Sequence, residues 1–97
     1  MISTTTLNKI VQSIIEHQSL VIGPLAIYQA KKVQGLTILD EESLTIEIRT
    51  SNPEAILEDL VEKYKNLFGQ TSVEVCKDAI KEANIIVPDT DLPKILR

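Results

Sequence analysis

From Leu7 the apolar residues fall at Leu7, Ile10, Val11, Ile14 and Ile15, then at Val21, Ile22 and Leu25, spacings of three and four that line one side of a helix. Polar Asn8, Gln12, Ser13, Glu16, His17 and Ser19 fill the other side. The pattern predicts a helix over about 6–22, capped by Thr5 or Thr6. Gly23-Pro24 interrupts it: Pro24 has no N–H for a carbonyl one turn back, yet it suits the first position of a new helix with Gly23 as the cap. The next segment, about 24–34, carries Leu25, Ala26, Tyr28, Ala30 and Val33, and is either a separate helix or the continuation of a kinked one. Gly35 closes it.

The period then drops to two. Leu36-Thr37-Ile38-Leu39 and Leu44-Thr45-Ile46-Glu47-Ile48-Arg49 alternate around the polar turn Asp40-Glu41-Glu42-Ser43, which predicts a β-hairpin over 36–49 with Leu44, Ile46 and Ile48 inward. A two-stranded ribbon is marginal alone in water, so it must lie on helices or pair with a second ribbon. Ser51-Asn52-Pro53-Glu54 starts a third helix, by Asn52 as cap before Pro53 or by a Ser51–Glu54 capping box. Ile56, Leu57, Leu60, Val61, Tyr64, Leu67 and Phe68 form its stripe, Gly69 ends or bends it, and Thr71 with Glu74 offers a capping box for a fourth helix bearing Val73, Cys76, Ala79, Ile80 and Ala83. The segment 85–97, broken by Pro88 and Pro93, reads as a flexible tail with some aliphatic docking residues.

Sliding the second half back so that Gly69 falls on Gly23 also pairs Ile10 with Ile56, Glu16 with Glu62 and Lys31 with Lys77, and it aligns most apolar positions between 10–34 and 56–80. This predicts an internal repeat, although any two amphipathic stripes can be brought into phase. The fold expected is α+β: about four helices as two helix-Gly-helix units, with one hairpin between them, in a single domain over 1–97. Gly23, Pro24 and Gly69 are the hinges. The pattern Ile22-Gly23-Pro24-Leu25-Ala26, with helical spacing on both sides, resembles short helical segments attached to some bacterial signalling and regulatory proteins. That resemblance implies an interaction role in a bacterial protein and carries over no site residue.

Composition narrows the partners. The 43% hydrophobic content is nearly all aliphatic, with one Phe, two Tyr and no Trp, and the net charge is −4. Nucleic-acid readers carry basic patches or aromatic platforms, so nucleic acid is an unfavourable partner. No apolar run reaches the roughly 18 residues of a membrane span, and no basic stretch precedes an apolar one at the start, so the expectation is a cytoplasmic protein without a membrane partner. One cysteine, Cys76, leaves no internal disulfide and no thiolate zinc cluster.

The residues able to do chemistry are few. His17 is the single histidine, with Glu16 beside it and Ser13 one turn back, and reads as a solvated helix residue. Cys76 lies on an apolar stripe and reads as a small core hydrophobe. The acidic runs Asp40-Glu41-Glu42 and Glu58-Asp59 with Glu62 lack the order of a calcium loop, and the three glycines stand apart, so no metal site, phosphate loop, cofactor or catalytic set is expected. What remains is a non-enzymatic interaction or regulatory module that acts by dimerisation or partner binding. Its candidate interface residues are Tyr28, Leu44, Ile46, Ile48, Tyr64 and Phe68, since aromatic and aliphatic groups dominate interface cores. The competing expectation is a small-ligand sensor with an aliphatic pocket between the repeat halves.

Overall fold

The computed structural model describes residues 2–97. The first helix, α1, spans Thr4–Ile22 and starts earlier than the threonines suggest: Ser3 is the cap, its hydroxyl accepting the Thr6 amide at 3.1 Å. At its far end Gly23 adopts φ 66° and ψ −144°, a region of backbone space that belongs essentially to glycine. The Gly23 N–H still reaches the Ser19 carbonyl at 2.9 Å, while the Gly23 carbonyl accepts the Ala26 amide at 3.1 Å. Pro24 follows with helical angles, so the chain passes into α2 (Leu25–Ala30) with no loop between them.

The same joint recurs further on. Helix α3 (Pro53–Phe68) ends at Gly69, with φ 73° and ψ −157°, and α4 (Gln70–Glu82) begins on the next residue. The Gly69 N–H donates to the Lys65 carbonyl at 2.7 Å, and its carbonyl accepts the Ser72 amide at 3.1 Å. The second joint matches the first bond for bond without a proline. Thr71 therefore lies inside α4 and caps nothing. At the start of α3 the Asn52 side chain accepts the Ala55 amide at 3.1 Å with Pro53 first in the helix, so Asn52 and not Ser51 is the cap.

Between the two units the hairpin pairs β1 (Leu36–Asp40) with β2 (Thr45–Ile48) antiparallel, Leu36 opposite Ile48 and Ile38 opposite Ile46. Helix α2 stops at Ala30, short of Gly35, because tight i to i+3 bonds from Lys32 and Val33 close the chain early. A register shift between Ile38 and Asp40 turns Leu39 out to solvent. Leu44 precedes β2 instead of opening it, at φ 53°. Its carbonyl accepts the Gln12 side-chain amide at 3.0 Å, which ties the hairpin turn to α1.

Residues 85–97 are not a free end. They form two single 3₁₀ turns, Asp89–Asp91 and Lys94–Leu96, and Leu92, Pro93 and Leu96 are buried where the last turn meets α3 and α4. The Arg97 side chain holds the Leu92 carbonyl at 3.0 Å. The core consists mainly of Leu7, Ile10, Val11, Ile14 and Ile15 of α1, Leu57, Leu60, Val61 and Tyr64 of α3, and Val73, Cys76 and Ala79 of α4, the helix against which both α1 and α3 chiefly pack.

Two buried hydrogen bonds cross the middle. Gln18 of α1 donates its amide to the Ser72 carbonyl in the first turn of α4 at 2.9 Å. Tyr64 of α3 donates its hydroxyl to the Ala26 carbonyl in the first turn of α2 at 2.7 Å. With Gly69 laid on Gly23, Tyr64 falls on Gln18 and Ser72 on Ala26, so each helix-Gly-helix unit gives to the other the bond it receives.

Replacing Gly23 or Gly69 by alanine tests the joint. Nothing stands within 4 Å of a Cβ at either position, so any loss comes from the backbone alone. Denaturant titration is expected to show about 1–3 kcal/mol lost for each L-alanine, and recovery with D-alanine, which favours positive φ. L-alanine variants within about 0.5 kcal/mol of the parent protein would mean that the joints impose no such constraint.

Candidate functional site: apolar surface at the helix joints

Each crossing bond links a residue more than a turn before one joint to a residue in the first turn after the other. Each joint carries exposed aliphatic or aromatic groups. Leu20 (86% exposed), Val21 and Leu25 flank Gly23, and Leu67 and Phe68 precede Gly69. The reason is geometric: successive helical residues turn by about 100°, so the run Leu20-Val21-Ile22 cannot face one side. Ile22 meets the core and its two neighbours do not. Scattered apolar residues are ordinary on a surface, whereas a gathering of them marks a contact region.

The six candidate interface residues divide. Tyr28 and Phe68 are exposed, and the Lys32 ammonium lies 4.7 Å from the Tyr28 ring centre. Tyr64 is fully buried and spends its hydroxyl on Ala26, so it cannot reach a partner. Leu44 and Ile46 are buried and Ile48 is half-buried, all on the side of the hairpin that covers the helices, while Thr37, Thr45, Glu47 and Arg49 are exposed. The hairpin thus uses its apolar face within the protomer. Leu20, Val21, Leu25 and Leu67 join the surface instead. Their signal is in the sequence as consecutive apolar residues at the end of each stripe, more than one helix side can bury.

From Leu20 a groove of about 450 Å³ runs between α1, α2 and the hairpin turn, lined by Glu16, Ser19, Leu20, Ile27, Glu41, Glu42, Ser43 and Leu44. Lys31 of the turn after α2 pairs with Glu41 at 2.8 Å. Gln18, Leu60, Tyr64 and Cys76 are fully buried in the interior.

His17 is held on both sides of its ring. Its Nδ1 lies 2.9 Å from the Ser13 carbonyl and its Nε2 2.6 Å from a Glu82 carboxylate oxygen, two acceptors that call for a proton on each nitrogen. The Glu82 hydrogen bond raises its pKa above 6.5, partial burial opposes this, and the Ser13 carbonyl and the charges of Glu82 and Glu16 add to the rise. Both ring nitrogens are thus engaged, and the Ser13 hydroxyl is committed to the Ala79 carbonyl at 2.7 Å. The arrangement is a clasp between α1 and the end of α4, beside an open cleft that also includes Lys9 and Gln12.

Cys76 is fully buried, with the Gln18 amide 3.3 Å from its sulfur, and burial pushes its thiol up to about 11. The Gln18 amide oxygen has no hydrogen-bond partner among the described residues, so the centre of the protein is polar at some energetic cost. Among the described residues no three His, Cys, Asp or Glu side chains gather as metal ligands, and no helix is long and apolar enough to cross a membrane. No family model, curated protein or solved structure matches the chain.

Because the folded pKa of His17 exceeds its unfolded value of 6.5, the clasp contributes fully below pH 6.5 and its contribution fades as pH rises through the folded value. Thermal melts across that window should show the parent protein losing more stability than His17→Gln, with Glu82→Gln behaving like the histidine variant. Parallel curves for all three would remove the clasp. A thiol reagent at neutral pH should leave Cys76 unlabelled until denaturant is added; fast labelling of the folded protein would contradict its burial.

Proposed function

We propose that this chain is a non-enzymatic interaction or regulatory module, built as an internal repeat of a helix-Gly-helix unit, which acts through dimerisation or partner binding at the apolar surface beside its joints. The observation that carries this reading is the exposure of Leu20, Val21, Leu25, Leu67 and Phe68 beside the two joints. Burial of such side chains against a partner contributes roughly 25 cal/mol per Å², less the cost of association. An enzymatic reading has little to stand on, since His17 and Cys76 are each held in a structural contact. The likeness of the Gly23-Pro24 joint to helical segments of bacterial signalling proteins agrees with a regulatory, cytoplasmic role.

Light scattering over a range of concentrations, with a dye that fluoresces on exposed apolar surface, tests this. The parent protein is expected to self-associate or bind the dye. A Val21→Asp, Leu67→Asp, Phe68→Asp variant is expected to do neither, with stability changed by no more than about 0.5 kcal/mol per exposed site. A parent protein that stays a single protomer and ignores the dye would refute the proposal.

A further inference from the structure

We infer that the groove between α1, α2 and the hairpin turn receives a short basic aliphatic helical segment of another protein. This rests on the reading of the chain as an interaction module and names where the partner enters. Three elements meet around the groove: Leu20 of α1 stands almost wholly exposed along one wall, Ile27 of α2 is half-buried, and the buried Leu44 of the turn closes the base. The rim is acidic, with Glu16 on one side and Glu41 and Glu42 on the other, and no cation lines it. Lys31 neutralises Glu41 from outside the groove, while Glu16 and Glu42 make no ion pair among the described residues. An apolar floor between carboxylates matches aliphatic side chains flanked by Lys or Arg, and repels an acidic segment.

The turn is built to hold this shape. Leu44 sits at φ 53°, a left-handed backbone conformation that a bulky side chain rarely adopts. The Gln12 amide on its carbonyl and the burial of its side chain keep it there. That conformation sets Leu44 into the floor while Glu41 and Glu42 remain at the rim. Strain held in place by surrounding contacts is characteristic of binding sites. A segment of this composition exists within the chain, Leu92-Pro93-Lys94-Ile95-Leu96-Arg97, but its Leu92, Pro93 and Leu96 are buried against α3 and α4 and are unavailable to a second copy. The acidic rim and the net charge of −4 also disfavour a second copy of this chain, so the occupant is a basic segment of a different protein.

Three synthetic peptides of equal length make the test: an amphipathic helix of Leu and Lys, the same peptide with each Lys replaced by Glu, and a scrambled Leu/Lys peptide with no apolar face. Amide chemical shifts should move at Glu16, Leu20, Ile27, Glu42 and Leu44 with the first peptide only. Its affinity should fall about tenfold between ~0.05 and ~0.5 M salt, and about fivefold in a Glu16→Gln, Glu42→Gln variant. Leu20→Asp, at a side chain that touches little, should abolish binding and leave the fold intact. Equal binding of all three peptides, shifts confined to other surfaces, or a groove occupied by a second copy in light scattering would overturn the inference. If Val21, Leu67 and Phe68 still drive association while no peptide enters the groove, the inference falls and the interaction module stands. If the parent protein also shows neither association nor dye binding, both fall.

Discussion

The structure depends on the exchange of two buried hydrogen bonds, Gln18 to the Ser72 carbonyl and Tyr64 to the Ala26 carbonyl. A polar group out of water must find a partner, and a bond made in that surrounding is hard to exchange for any other. Here each partner is a carbonyl just past a glycine joint, so the bonds fix where the second helix of each unit begins. Helix α2 has only six residues, far too few to hold a helix in water. Its order comes from the joint that delivers it and from Tyr64, which seats its first turn against α3.

The joints impose the second constraint. A glycine conformation closed to other residues lets one helix run into the next without a loop, and at both sites the preceding amide bond and the following one have the same partners in sequence spacing. Without a loop, the polar residues that normally cover a turn are absent. The last apolar residues of α1 and α3 are then left at the surface: Leu20 and Val21 at one joint, Leu67 and Phe68 at the other. The same economy that locks the core therefore creates the region on which an interaction role rests. The hairpin adds the remaining feature, since its turn, held by Gln12, faces Leu20 and Ile27 across the groove.

Much of the fold was legible because its signals are local. The change from a helical period to alternation at Leu36, the Asn52-Pro53 start and the glycines at 23 and 69 each specify backbone geometry within a few residues. The α+β architecture of two helix-Gly-helix units around a hairpin followed from them. The site was less legible because exposure is decided by distant packing. Tyr64 and Phe68 belong to one stripe, and only the position of α2 buries the first and leaves the second in solvent. Ser3 is hard to single out as the cap, because Thr5 and Thr6 carry the same hydroxyl chemistry nearer the first stripe residue. The docked tail and the His17–Glu82 contact join residues far apart in sequence, which no spacing rule can pair.

Native-state hydrogen exchange tests the central claim most directly. If the exchanged bonds bind the two units into one cooperative body, the slowest amides of α1 and α3 will open with the same free energy in the parent protein. Both will lose an equal amount, about 1 kcal/mol, when Tyr64 is changed to Phe. Helices α1 and α3 that open at clearly different free energies, or a Tyr64→Phe effect felt by α2 and α3 alone, would contradict it.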